Sequence, residues 1–201
     1  MSILVGRKAP AFTAPAVLGD GAIVEAFDFA QATRDNYAVL FFYPLDFTFV
    51  CPSELIAFDH RLDDFKARDA QVIGVSVDSH YTHNAWRNTP VENGGIGAVR
   101  YPLVADLTHA ICKAYDVEAP GGDVALRGSF LIDREGVVRH QIVNDLPLGR
   151  DIDDMLRTLD ALQFHEIHGE VCPAGWRKGS AAMSDTPEGV AHYLREHAEA
   201  L

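Results

Sequence analysis

The chain has few cysteines, no excess of positive charge and no long apolar run, and each scarcity closes off a class of protein. Among 201 residues, only Cys51, Cys112 and Cys172 carry thiols. The number is odd and the positions lie far apart, which rules out a disulfide scaffold. In a reducing compartment such residues are either small buried apolar groups or reactive thiols. The 17 Lys and Arg are outnumbered by 29 Asp and Glu, for a net charge of −12. No basic surface is left to follow a phosphate backbone, so nucleic acid is a poor candidate partner. The longest apolar run, Tyr37 to Tyr43, has the size of a strand and falls far short of the roughly 20 residues that span a bilayer; no membrane association is expected. The opening segment from Met1 to Lys8 places its charges after a very short apolar stretch, the reverse of a secretory signal, and predicts a cytoplasmic location. Phosphate-loop and dinucleotide fingerprints are missing, as are repeats and low-complexity tracts.

What remains is an ordinary folded composition, 48% hydrophobic and 23% charged. Phe12–Pro15 and Ala22–Glu25, separated by Gly19-Asp-Gly21, predict an N-terminal hairpin. Tyr37–Tyr43 and Gln71–Val77 are continuous apolar runs, the pattern of strands covered on both faces. Leu55, Phe58, Leu62 and Phe65 recur at helical spacing and predict one helix from Cys51 to about Arg68. Short helices are expected around Tyr81–Asn88 and Leu107–Tyr115, then a hairpin of Arg127–Asp133 and Val137–Val143, then a helix through Ile152, Met155, Leu156, Leu159 and Leu162. Alternating strands and helices define an α/β protein with a central mixed sheet. Residues 1–164 form the expected main domain. Residues 165–201 form a C-terminal arm, without apolar period from His165 to Ser184 and closed by a helix with Thr186 as N-cap and Pro187 in its first turn.

Chemistry concentrates around Cys51. Pro52 suits a first helical position, which puts Cys51 at or beside the N-cap, where unpaired N–H groups and the helix dipole favour an anion. Thiols react as thiolates in such settings. Thr48 precedes Cys51 by one turn and can bring its hydroxyl beside the sulfur. Ionisation alone explains little: an ordinary thiol is about 3% ionised at neutral pH, so complete ionisation gains about 30-fold. A fast thiol enzyme must also polarise its electrophile with donors aimed at the departing oxygen. The sequence Cys51-Pro-Ser-Glu54 lacks the second cysteine that a thioredoxin-type disulfide oxidoreductase would need.

The segment Phe41-Phe-Tyr-Pro-Leu-Asp-Phe-Thr-Phe-Val-Cys-Pro-Ser-Glu54 resembles the active-site signature of the typical 2-Cys peroxiredoxins, a group that includes the peroxidase subunit of alkyl hydroperoxide reductase. The resemblance continues through Gly74–Asp78, Ala85-Trp-Arg87, Arg127–Asp133, Val143–Arg150 and His168–Trp176, nearly the whole chain with its motifs in order. It implies a thioredoxin-like fold and peroxide reduction without a metal or organic cofactor. Matched residue by residue, Cys51 is the peroxidatic cysteine, Thr48 orients the peroxide, Pro44 shields the pocket, Arg127 is the pocket arginine, and Glu54 with Arg150 supports it.

Cys172 lies in a segment containing glycine and proline, where a thiol can either be structural or condense with a sulfenic acid. The resemblance implies the second role: a resolving cysteine bonding Cys51 of the other subunit in a homodimer that assembles to a decamer. Phe47 and Ser79–Thr82 are then candidate ring-interface positions. The implied reductant is a thioredoxin-like dithiol protein or a flavoprotein disulfide reductase. Gly94-Gly-Ile-Gly97 resembles the glycine loop of oxidation-sensitive members, but Tyr193-Leu194 stands where they have Tyr-Phe. Cys112 sits in a helical pattern with no activating neighbour and is expected to be buried and inert. His80-x-x-His83 and His165-x-x-His168 lack a third ligand in a suitable pattern and are expected to be solvated.

Overall fold

The computed structural model describes residues 3–200; Met1, Ser2 and Leu201, the outer ends of the expected domain and arm, lie outside the described residues. By contacts the chain divides into two units, 1–152 and 153–201. The first is built on one seven-stranded sheet in the order β2-β1-β5-β4-β3-β6-β7. Its strands are β1 (Thr13–Val17), β2 (Ile23–Asp28), β3 (Tyr37–Phe42), β4 (Ala70–Ser76), β5 (Leu103–Ala105), β6 (Arg127–Ile132) and β7 (Val138–Asn144). Pairing is parallel between β3 and β4 and between β4 and β5, and antiparallel elsewhere. The helices are α1 (Phe29–Ala32), α2 (Cys51–His60), α3 (Leu62–Lys66), α4 (His80–Arg87) and α5 (Ala110–Ala114), followed by α6 (Ile152–His168) and α7 (Pro187–His197).

Every residue of β3 is buried, because helices and loops cover both faces of the sheet. Alternation along the strand divides the core in two. Ala38, Leu40 and Phe42 join a cluster with Ile73, Val75, Phe130 and the α5 residues Ile111 and Cys112. On the other face Phe41 stacks on Phe58 at 4.2 Å and meets the edge of Tyr101 at 5.8 Å. Gly74 is opposite Phe41 across the ladder, and a Cβ there would approach the Phe41 ring to 2.9 Å. The aromatic ring therefore occupies the space that glycine leaves open.

Three expectations about local structure are revised. The single helix from Cys51 to Arg68 is two helices, broken at Arg61, whose φ of −98° and ψ of 4° are not helical. Arg100 spans the break, donating to Asp59 and Asp63. β5 and α1 went unread because three- and four-residue elements are too short to express a period.

The third revision lies in the second unit. There α6 continues through His165 to His168, so the segment expected to be structureless starts with a helical turn. The apolar period stops earlier because the side chain of Ile167 is 75% exposed. The segment also carries an isolated antiparallel bridge between Val171 and Met183. As the sequence predicts, the Thr186 side chain caps α7, accepting from the backbone N–H of Gly189 at 3.0 Å.

Candidate active site

The loop that delivers Cys51 leaves the end of β3, where Pro44 is buried. Its path is fixed from below. The backbone N–H of Asp46 donates to Asp78 Oδ2 at 2.8 Å, and the Tyr43 hydroxyl donates to Asp46 Oδ1 at 2.8 Å. His83 Nδ1 lies 2.8 Å from Asp46 Oδ2, while its Nε2 lies 3.2 Å from the Val104 carbonyl. That carbonyl can only accept, so Nε2 carries a proton in this arrangement. Burial pushes the Asp46 carboxyl above its ordinary range, partly offset by His83. Burial, with Asp46 adding to it, likewise raises the Tyr43 phenol. Phe47 takes a left-handed φ of 55°, which turns the chain toward the helix.

Cys51 is the first helical residue of α2, Val50 takes the N-cap position and Pro52 follows inside the first turn. The Cys51 side chain is 0% exposed. Thr48 Oγ1 lies 3.0 Å from its sulfur and 2.7 Å from the Leu45 carbonyl oxygen. A hydroxyl has one hydrogen to donate. When Thr48 donates to Leu45, the same oxygen can accept from the thiol; when the sulfur is anionic, the two acceptors compete for that hydrogen.

Arg127, the first residue of β6, donates from Nη1 to the Cys51 sulfur at 3.4 Å and to Glu54 Oε2 at 2.6 Å. Its Nε donates to the Leu146 carbonyl at 2.7 Å, fixing the plane of the guanidinium. Arg150 grips the same Glu54 through Nε at 2.8 Å, Nη2 at 2.9 Å and its backbone N–H at 3.0 Å. Arg150 Nη1 also donates to the carbonyls of Phe42 and Gly128, at 2.8 and 2.9 Å. All three charged side chains are at most 4% exposed. One carboxylate between two guanidiniums leaves a buried net charge of about +1 beside the sulfur, which an anionic sulfur would balance.

The structure thus brings Thr48, Cys51, Glu54, Arg127 and Arg150 into one bonded cluster and sets Pro44 at the root of the same loop. Cys172 belongs to the second unit, half-buried, with its sulfur 3.5 Å from the Ala161 carbonyl. Burial, then the nearby Glu170, raises its thiol above the usual range. All three cysteines are free thiols. Cys112 is fully buried, and burial together with Asp106 and Glu118 pushes its thiol up to about 12.

One expectation fails. His80 and His83 are not solvated: they are 7% and 0% exposed and share the buried face of α4 with Trp86. The sequence reading missed the Tyr43–Asp46–His83 network for the same reason, since His83 was expected to be solvated. The spacing of His80, His83 and Trp86 at i, i+3 and i+6 was the available signal. His165 and His168 end α6 on exposed positions, as expected.

Comparison with known proteins identifies the family and the fold. The AhpC/TSA family model matches residues 5–141, and the model of the C-terminal domain of 1-Cys peroxiredoxin matches 161–196. Alkyl hydroperoxide reductase C of Helicobacter pylori (strain ATCC 700392 / 26695) is 56% identical over 195 residues, covering 97% of this chain and 98% of that protein. Peroxiredoxin-2 of Cricetulus griseus is 47% identical over 193 residues, 96% of each chain. The crystal structure of reduced Plasmodium vivax 2-Cys peroxiredoxin superposes with a TM-score of 0.93 at 48% identity, covering 96% of this chain and all of that one. The chain belongs to the AhpC/TSA family and has the thioredoxin-like peroxiredoxin fold. It is a peroxidase of that family, reducing peroxide with a thiol. Among the described residues no helix is long and apolar enough to cross a membrane.

Proposed function

We propose that the chain reduces hydrogen peroxide and organic hydroperoxides through Cys51. The sulfur attacks the terminal peroxide oxygen; the S–O bond forms as the O–O bond breaks, and the alkoxide or hydroxide leaves with a proton. Thr48 Oγ1 and Arg127 Nη1 converge on the sulfur at 3.0 and 3.4 Å, and this convergence carries the reading. The same donors face the place where a peroxide must sit, so they can stabilise charge on the departing oxygen. Glu54 and Arg150 position Arg127, and Pro44 closes the root of the loop.

The sulfenic acid on Cys51 then condenses with the Cys172 thiol of a second subunit, losing water and forming a disulfide. A thioredoxin-like dithiol protein or a flavoprotein disulfide reductase returns both thiols. The cycle starts from free thiols, which suits the reducing cytoplasm. The active unit is a homodimer that assembles further to a decamer, with Phe47 and the Ser79–Thr82 turn at the ring interface. Phe47 and Tyr81 are 52% and 67% exposed, a large aromatic surface for a chain alone in water.

Stopped-flow oxidation of the reduced protein by hydrogen peroxide, followed by non-reducing electrophoresis, tests the cycle. Fast oxidation to a linked dimer, abolished in both Cys51→Ser and Cys172→Ser, is the expected result. Oxidation at the rate of an ordinary thiol would overturn the role of Cys51. A linked dimer persisting in Cys172→Ser would overturn the role of Cys172 alone.

A further inference from the structure

Outside the site around Cys51, one group of side chains converges without any part in peroxide reduction. Asp106 starts it by accepting the backbone N–H groups of Ile111 and Cys112 at 3.1 and 2.8 Å, which winds the short helix α5. The chain then reverses through Asp116, whose φ is 54°, and the Val117 N–H returns to the Cys112 carbonyl at 2.9 Å. This reversal carries Glu118 back over the start of the helix. Its Oε1 lies 2.9 Å from His109 Nδ1 and 3.5 Å from Lys113 Nζ. A ring nitrogen of His109, the sulfur of Cys112 and a carboxylate oxygen of Glu118 all lie within 4.8 Å of one another.

We propose that His109, Cys112 and Glu118 bind one divalent cation of the zinc class. Imidazole, thiolate and carboxylate are the three donor types that such a cation accepts. Bond lengths of about 2.0–2.3 Å place tetrahedral ligand atoms about 3.3–3.8 Å apart, so the ion asks the 2.9 Å His109–Glu118 pair to part slightly and any wider pair to close by up to about 1 Å. His109 and Glu118, each about one-fifth exposed, have the freedom to move, whereas the buried Cys112 sulfur forms the fixed floor. The exposed side of those two residues gives the ion its entry path and leaves a fourth position for water. Binding is an exchange without redox change: the Cys112 S–H bond breaks, a sulfur–metal bond forms and one proton passes to solvent. The His109 proton shifts from one ring nitrogen to the other if Nδ1 is the donor. One thiolate and one carboxylate then neutralise the dication.

The consequence for the fold is a staple. Glu118 bridges to Ala125, and the Leu126 N–H donates to the Val117 carbonyl at 2.7 Å, immediately before Arg127 begins β6. A bound ion would therefore tie α5 to the strand segment that leads into Arg127.

The test uses the full chain carrying Cys51→Ser and Cys172→Ser, so that Cys112 is its one thiol. Reduced and metal-free, it is titrated with zinc in competition with a chromophoric chelator, and with cobalt while thiolate-to-metal absorption is followed. One equivalent should bind with release of one proton, and cobalt should give the sulfur charge-transfer band. Adding Cys112→Ser should abolish that band and weaken binding at least a hundredfold. Glu118→Gln, a change at a partly exposed side chain that leaves the thiol in place, should weaken it at least tenfold, with the circular dichroism of the metal-free protein unchanged. No stoichiometric uptake, or uptake indifferent to Cys112→Ser and Glu118→Gln, overturns the proposal. None of these outcomes bears on Cys51.

Discussion

Replacing Glu54 by Gln tests the electrostatic design of the site most directly. The carboxylate accepts from Arg127 Nη1 at 2.6 Å and from Arg150 Nε, Nη2 and backbone N–H at 2.8, 2.9 and 3.0 Å. A glutamine oxygen can retain the bonds on one side only, and its NH2 then faces guanidinium N–H groups, donor against donor. At least two charge-assisted bonds are lost, each contributing about 1.5–3 kcal/mol, and two cations remain with no anion between them. Breaking a buried ion pair from one side costs about 3–5 kcal/mol, and the two routes agree near 4 kcal/mol. Urea denaturation of the reduced protein should register that loss as a lower midpoint with an unchanged slope. Stopped-flow oxidation should slow at least tenfold, because Arg127 loses the carboxylate that holds it against the sulfur. A stability change below about 1 kcal/mol would refute the reasoning, because it would mean that water or another acceptor already satisfies both guanidiniums.

Two further outcomes follow from contacts and burial in the structure. Thr48→Val keeps the shape but removes the hydroxyl that lies 3.0 Å from the sulfur; oxidation should slow by about a hundredfold, while Thr48→Ser recovers most of the rate. Equal rates for the two variants would remove Thr48 from the chemistry. Burial raises the phenols of Tyr43, Tyr101 and Tyr115. A raised folded value means the folded protein keeps protons that the unfolded chain gives up, so this stability is complete below about pH 10 and is lost as pH rises above it. Three such groups predict a decline of about 4 kcal/mol per pH unit above 10, and Tyr101→Phe should reduce the slope by about one third. Denaturant titrations at successive alkaline pH values measure it; an unchanged slope in the variant would show that Tyr101 ionises while folded.

The legible parts of the site were those written within one turn of chain. Thr48 and Cys51 are three residues apart, and the helix that starts at Cys51 could be read from its own apolar period, so their contact followed from local geometry. Arg127 and Arg150 had no such signal. Arg127 is 76 residues from Cys51 and reaches it only because β6 pairs with β3, which an isolated sequence does not encode in its spacing. Family resemblance supplied both arginines; periodicity would have left them on the surface. The Tyr43–Asp46–His83 network was illegible for a related reason. A buried polar residue and a solvated one look alike until the partner that satisfies it is known, and here Val104 is the partner on another strand. The strands themselves were readable wherever they exceeded five residues.

Sheet topology explains the position of the site, and the burial of the sulfur sets the order of its chemistry. β3 and β6 are antiparallel neighbours with Phe41 opposite Ser129, so the point where β3 releases the Cys51 loop coincides with the point where β6 begins at Arg127. The resulting pocket holds a sulfur that is 0% exposed. A small peroxide can be admitted there by side-chain motion, but a thiol carried on another polypeptide cannot. In the proposed cycle, disulfide formation with a second subunit's Cys172 therefore requires the start of α2 to open. Val50 supplies no side-chain cap and Pro52 no N–H, so unwinding Cys51 and Pro52 can leave the Glu54 bonds to Arg127 and Arg150 in place. Opening exposes backbone and apolar surface, and denaturant favours any step that does so. Urea kept below the unfolding range should therefore accelerate disulfide formation while leaving sulfenic acid formation unchanged or slower. The two phases can be separated by stopped-flow fluorescence at several urea concentrations. If urea slows both phases alike, the resolving thiol reaches Cys51 without opening the helix, and the buried sulfur is no barrier to the second step.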